Sequence, residues 1–235
     1  MSDKDNLENN RADFLAAASR STIGLVPLAG PLLTELISGI IPNQRMDRLT
    51  KYIQELEKRI TDVESDIFNR YKNNEDFVDL TEEGFIQAAR AITDVRREYI
   101  ASVIVNGISN TSLNIADSKM LLKILQELSD IEIIWLRSYL DTSMGGDREF
   151  REKHKNILTT PQIINVVDKE VIQKYVIQQS YKGHLERLGL VKSKISIDKA
   201  TGQPQFDRVT GIARTTHTKI TTLGKMLLEQ IDLIE

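Results

Sequence analysis

Met46, Leu49, Ile53, Leu56, Ile60, Val63 and Ile67 recur at spacings of 3, 4, 3, 4, 3 and 4, the a/d seam of a heptad repeat. The positions between them are dominated by Lys, Arg, Asp and Glu. A strand cannot gather such a set on one face, so the run commits the chain to a long helix, from about residue 44 to about residue 70, with one narrow apolar stripe. The stripe needs a neighbour. Either it packs inside the chain's own bundle, or it is an oligomerisation seam for a second copy, which would make the protein a homo-oligomer.

Just upstream, Thr22 to Ile41 holds 20 residues with a single charge, Glu35. Proline is tolerated in a helix's first turn but not in its interior, so a helix is expected to start near Pro31 and to stop before Pro42. On it Leu32, Leu33, Leu36, Ile37, Ile40 and Ile41 share a broad face, with Thr34, Glu35 and Ser38 opposite. Two prolines, three glycines and Glu35 count against an ordinary membrane span, since an acidic side chain near the centre of a spanning helix costs about 2.5–3.5 kcal/mol. Two readings remain: a helix buried in the bundle, or a membrane-active hairpin sheltered at rest and released on activation.

Residues 1–10 are polar enough for a disordered tail, and the start lacks the basic and apolar regions of a signal peptide. With no cysteine there is no disulfide framework, thiolate nucleophile or Cys-based zinc site. A cytoplasmic location is expected.

Downstream of the seam, "YKNNEDFVDLT" breaks the pattern, and "TEEGFIQAARAITDVRREYIASVIVNGI" predicts a second long helix over 81–108 with Thr81 as its N-cap. A third follows over about 115–128, and Ser129 and Glu132 stand at capping-box spacing before "IEIIWLRSYL". Residues 11–141 therefore read as an all-helical bundle. "DTSMGGDREFREKHKN", with Gly145–Gly146, reads as a linker over 142–159. Beyond it, Thr160–Pro161 offers an N-cap and first-turn proline. Val/Ile/Thr-rich runs then flank "DKATGQP" as a hairpin, and "TTLGKMLLEQIDLI" returns to helix. The fold class expected is mainly α: a helical bundle with a long heptad helix, then a winged-helix-like α+β module over 160–235.

Charge divides along the same line. Residues 1–150 carry 17 Lys and Arg against 25 Asp and Glu, whereas residues 151–235 carry 14 against 9. The basic module makes nucleic acid a candidate partner, with Lys192, Lys194, Lys199, Arg208, Arg214 and Lys219 along the hairpin as its contacts. The preceding helix is Gln-rich, with only Lys174, Lys182 and Arg187 as cations in "QKYVIQQSYKGHLERLGLV", so a protein partner is equally open.

His154, His184 and His217 lie about thirty residues apart without metal-ligand spacing, and no phosphate-binding or nucleophile motif occurs. No catalytic residue, metal or cofactor is assigned. A non-enzymatic protein acting by oligomerisation and by protein or membrane contact is expected, with a DNA-binding regulator as the alternative.

Two stretches resemble the Abi-alpha type of bacterial abortive-infection proteins. One is "LTEEGFIQAARAITDVRREYIASVIVNGI" with "DSKMLLKILQELSDIEIIWLRSYL"; the other is "HLERLGLV", a hairpin and "TTLGKMLLEQI". The resemblance covers residues 81–235 and implies a cytoplasmic bacterial protein of phage defence without a defined enzyme activity. It supplies no functional residue.

Overall fold

We describe residues 43–110, 113–141, 147–161 and 168–234 of a computed structural model of the chain. Leu32, Leu33, Leu36, Ile37, Ile40 and Ile41 fall outside the described residues. Those described form ten helices and one two-stranded antiparallel sheet, in two compact units. Among the described residues, one unit holds those up to Gln126 together with Gln230–Leu233; the other holds those from Glu127 to Glu229 with Ile234. No described helix is long and apolar enough to cross a membrane.

In the first unit the heptad helix is α1, Asn43–Thr61, and the stripe buries Met46, Leu49, Ile53, Leu56 and Ile60. Its neighbours are α3, Glu75–Arg90, and α4, Asp94–Ser109, in the same chain. These five seam positions are therefore spent on the protein's own bundle. The expected helix to residue 70 breaks after Thr61, where Asp62 and Val63 close a tight turn onto the Arg59 and Ile60 carbonyls. Thr and Val are weak helix formers, and the polar run "TDVESD" offers no packing to override them. The chain resumes as α2, Ser65–Tyr71, out of phase: Phe68 is buried while Val63 and Ile67 are half-exposed. Phe68 then meets Phe77 edge-on, with centroids 6.5 Å apart.

The expected 81–108 helix is also two. Asn74 caps α3, its side chain accepting from the Phe77 amide at 3.1 Å, with Glu75 and Asp76 favourably placed in the first turn. Thr81 is a buried interior residue, donating to the Phe77 carbonyl at 2.7 Å, and not an N-cap. Thr93 caps α4 through the Arg96 amide, which stops α3 at Arg90. Buried Arg97 braces that corner, donating to the Ala91 carbonyl at 2.7 Å and pairing with Asp94.

Helix α4 buries Ile100, Ala101, Val103, Ile104 and Ile108. It packs on α1, α2 and α3, and a helix surrounded this way is apolar on more than one face. Close approach needs Gly84 of α3, since a Cβ there would lie 2.8 Å from the Tyr52 hydroxyl and 2.9 Å from Ile104 Cδ1. Helix α5, Ile115–Glu127, adds Leu121, Leu122 and Leu125 to the buried set. Buried Gln230 donates to the Val103 carbonyl at 3.3 Å and to Ser118 Oγ at 3.1 Å.

The second unit opens with α6, Asp130–Ser138, whose capping box forms as expected: Ser129 Oγ accepts from the Glu132 amide and Glu132 accepts from the Ser129 amide at 2.8 Å. The other Glu132 oxygen reaches His184 Nδ1 at 2.6 Å on α9, Lys169–Arg187. One carboxylate thus starts one helix and docks a second. Part of the expected linker is instead α7, Arg148–Lys153, and α8, Lys155–Leu158. Arg151 donates to the Ser138 and Asp141 carbonyls at 2.8 Å, and buried Gln178 of α9 donates to the Ile157 and Thr159 carbonyls. The described start of α9 is capped by Asp168; whether Thr160–Pro161 begins a helix falls against residues 162–167, outside the described set.

Helix α9 ends in a left-handed Gly189, with the Leu190 amide returning to the Leu185 carbonyl at 2.9 Å. Strands β1, Val191–Ile195, and β2, Thr215–Ile220, pair antiparallel, and α10, Thr222–Gln230, follows. Leu188–Gly189 and Leu223–Gly224 meet here. Thr221 donates to the Gly189 carbonyl at 2.7 Å and caps α10 through the Gly224 amide at 3.1 Å. A Cβ on Gly224 would collide with the Leu190 carbonyl.

Candidate nucleic-acid interface

Register decides which side chains of the ribbon stand together. Lys192 lies opposite Lys219 and Lys194 opposite His217, and cross-strand partners two residues apart share a face. Lys192, Lys194, His217 and Lys219 therefore form one ladder, and all four are exposed. Val191, Ser193 and Ile195 take the other face, where Ser193 and Thr218 join hydroxyls at 2.7 Å.

Between the strands the chain makes two small hairpins. Ser196, Gln205 and Arg214 are joined at their base: the Ser196 amide donates to Arg214, the Gln205 amide to Ser196 and the Arg214 amide to Gln205, at 2.7–2.9 Å. The loops repeat one motif, Asp-Lys-Ala-Thr-Gly at 198–202 and Asp-Arg-Val-Thr-Gly at 207–211. In each, the Asp Oδ1 accepts from the amides two and three residues on, and the Gly amide closes on the Asp carbonyl. Gly202 and Gly211 take φ of 70° and 69°, left-handed values that favour glycine. The residue pattern predicts the first hairpin only; the signal for the second is the repeat itself.

Lys199 and Arg208 occupy the same loop position in the two copies, both exposed. Residues 191–221 hold six cations, Lys192, Lys194, Lys199, Arg208, Arg214 and Lys219, against two acids, Asp198 and Asp207. Both acids are engaged in holding the turns. Amides of Thr201 and Ala200 keep the Asp198 carboxyl below its usual range. Partial burial raises Asp207, but bonds from Thr210, Tyr175 and Val209 together outweigh it, leaving it lowered. Among the described residues no ion pair involves any of the six cations.

The second hairpin leans on α9. Tyr175 donates to Asp207 Oδ2 at 3.0 Å, and Lys182 donates to the Thr215 hydroxyl. Between these ties runs a groove of about 490 Å³, floored by Tyr175, Gln179, Lys182, Gly183 and Glu186 and roofed by Thr210, Ile212 and Arg214. The floor residues fall at i, i+4, i+7, i+8 and i+11, one face of the helix. Burial lowers the Lys182 pKa, partly offset by Glu186. Glu186 Oε1 is buried without a hydrogen-bond partner.

All six basic residues named from the sequence thus belong to one ribbon, and the structure adds His217, Lys182 and the groove. Met46, Leu49, Ile53, Leu56 and Ile60 are buried in the bundle, as above. His184 is tied to Glu132, and His154 packs against Phe150 with the rings tilted by 51° and centroids 4.6 Å apart. Among the described residues no group of His, Cys, Asp and Glu is placed to hold a metal. Comparison of the chain with models of protein families, with curated proteins and with solved structures finds no match.

Proposed function

We propose that this is a non-enzymatic binding protein whose winged-helix-like module, over residues 160–235, holds the phosphate backbone of nucleic acid on its ribbon. The cationic ladder carries the reading. Directly opposed lysines repel, at a cost on the order of a few tenths of a kcal/mol, and folding alone gives no reason to set Lys192 against Lys219. Phosphates between the strands would turn that repulsion into attraction. The order α9, β1, β2, α10 supports the winged-helix-like layout, with α9 in the place of the helix that precedes a wing. Mobility-shift titration of a duplex at low salt tests the reading. The full chain is expected to retard it, and Lys192→Gln/Lys194→Gln/Lys219→Gln to release it; equal retardation by both would refute a role for the ladder.

A second reading, contact with a protein partner, is favoured by one observation: Ile195, Ile197, Phe206, Val209 and Ile212 of the ribbon are 42–60% exposed. A cytoplasmic role in bacterial phage defence is proposed from the Abi-alpha resemblance and fits either partner. Self-association would have to use a surface other than the five buried seam positions. Membrane contact through residues 22–41 is proposed from sequence alone.

A further inference from the structure

The floor of the α9 groove faces another part of the same unit, yet it is polar. A helix face that serves only packing would be apolar there; Tyr175, Gln179, Lys182 and Glu186 instead offer a ring, an amide, a cation and a carboxylate. Gly183 stands among them, and a Cβ built on it meets nothing within 4 Å. Burying polar groups without partners is costly, and Glu186 Oε1 already lacks one. A volume of about 490 Å³ lies in the range of small-ligand sites.

The chemistry narrows the occupant. An aromatic ring and a guanidinium are the two side-chain planes on which an unstacked base rests, and a free amide matches the paired donor and acceptor on a base edge. Tyr175, Arg214 and Gln179 supply these three. Asp207 and Glu186 line the same space as acids, and Asp207 is engaged by Tyr175 and its own turn. Arg214 also belongs to the basic ribbon, so backbone held there lies beside the groove. We infer that the groove between α9 and the second hairpin takes one unstacked base of single-stranded nucleic acid, an inference that rests on the proposed binding of phosphate by the ribbon.

Fluorescence anisotropy on the full chain, with a labelled single strand and its duplex at the same salt, tests this. The single strand is expected to bind roughly tenfold more tightly, as one stacked base would provide. Gly183→Leu should fill the groove without backbone strain, removing the preference while leaving duplex binding unchanged; Gln179→Ala should reduce the preference and serves as the decisive variant should Gly183→Leu lower the thermal midpoint. Equal affinity for both probes, or a preference that survives the deciding variant, would overturn the base site and leave the ribbon reading standing. Failure of both probes to bind at about 50 mM salt would overturn the ribbon reading, and this inference with it.

Discussion

Leu56 distinguishes the two uses of a heptad seam. It is 0% exposed on the face that α1 turns to α3 and α4, so Leu56→Ala removes a side chain from a closed core and leaves a cavity that its neighbours fill only in part. Such changes cost about 2–5 kcal/mol. Taking about 3 kcal/mol and a urea slope of about 1.5 kcal/mol per molar, the midpoint should fall by about 2 M. Far-UV circular dichroism in urea measures it, with exposed Lys58→Ala as a control expected within about 0.5 kcal/mol of the parent. Protein concentration is the second axis. A seam spent inside the chain gives a midpoint that does not move with concentration, whereas one shared between copies gives a midpoint that rises with it. A small loss for Leu56→Ala, or a parent midpoint that climbs on concentration with dissociation of the variant, would refute an internal seam.

Gly224→Ala should lower the thermal midpoint by several degrees, because the added methyl meets the Leu190 carbonyl where α9, the ribbon and α10 join; a midpoint within a degree of the parent would contradict that contact. Glu132→Ala should cost about 1–3 kcal/mol in urea, since it removes the capping box and the partner of His184 together; a neutral result would mean that the pair does not form. Asp94 is held below the usual carboxyl range by bonds from Arg97 and Lys51. A lowered folded pKa contributes stability above the unfolded value, about pH 4, that is lost as pH falls through the folded one. Stability below about pH 4 should therefore fall less steeply in Asp94→Asn than in the parent, and identical acid limbs would contradict the bonds.

The parts of the fold that the sequence made legible were those set by local physics. The seam from Met46 to Ile60 and the Ser129–Glu132 box each depend on residues within a few positions of one another. The breaks escaped because an apolar residue continued the spacing across each of them: Val63 and Ile67 sit in heptad phase, and Ile92 bridges the stripe between α3 and α4 although it is 81% exposed. Thr81 and Asn74 are both cap formers, and the choice between them depends on where Phe77 is buried. Each basic residue of the ribbon was readable, but not that Lys192 faces Lys219, which follows from a register fixed by Val191 and Ile220. The second hairpin is marked in the sequence by its Asp-Arg-Val-Thr-Gly repeat, which lies within a Val/Ile/Thr-rich run that also suits a strand. The groove was not readable, because only the ties from Tyr175 and Lys182 show which face of α9 meets the ribbon.

Salt dependence of binding tests the ribbon most directly. Each phosphate neutralised contributes about −0.7 to −0.9 to the slope of log K against log salt. The three ladder lysines with one further contact give the full chain a slope of roughly −3 or steeper. Lys192→Gln/Lys194→Gln/Lys219→Gln should flatten it by roughly two units or more, with an unchanged circular dichroism spectrum. A slope near zero in the parent, or the same slope in the triple variant, would contradict phosphate binding by this face.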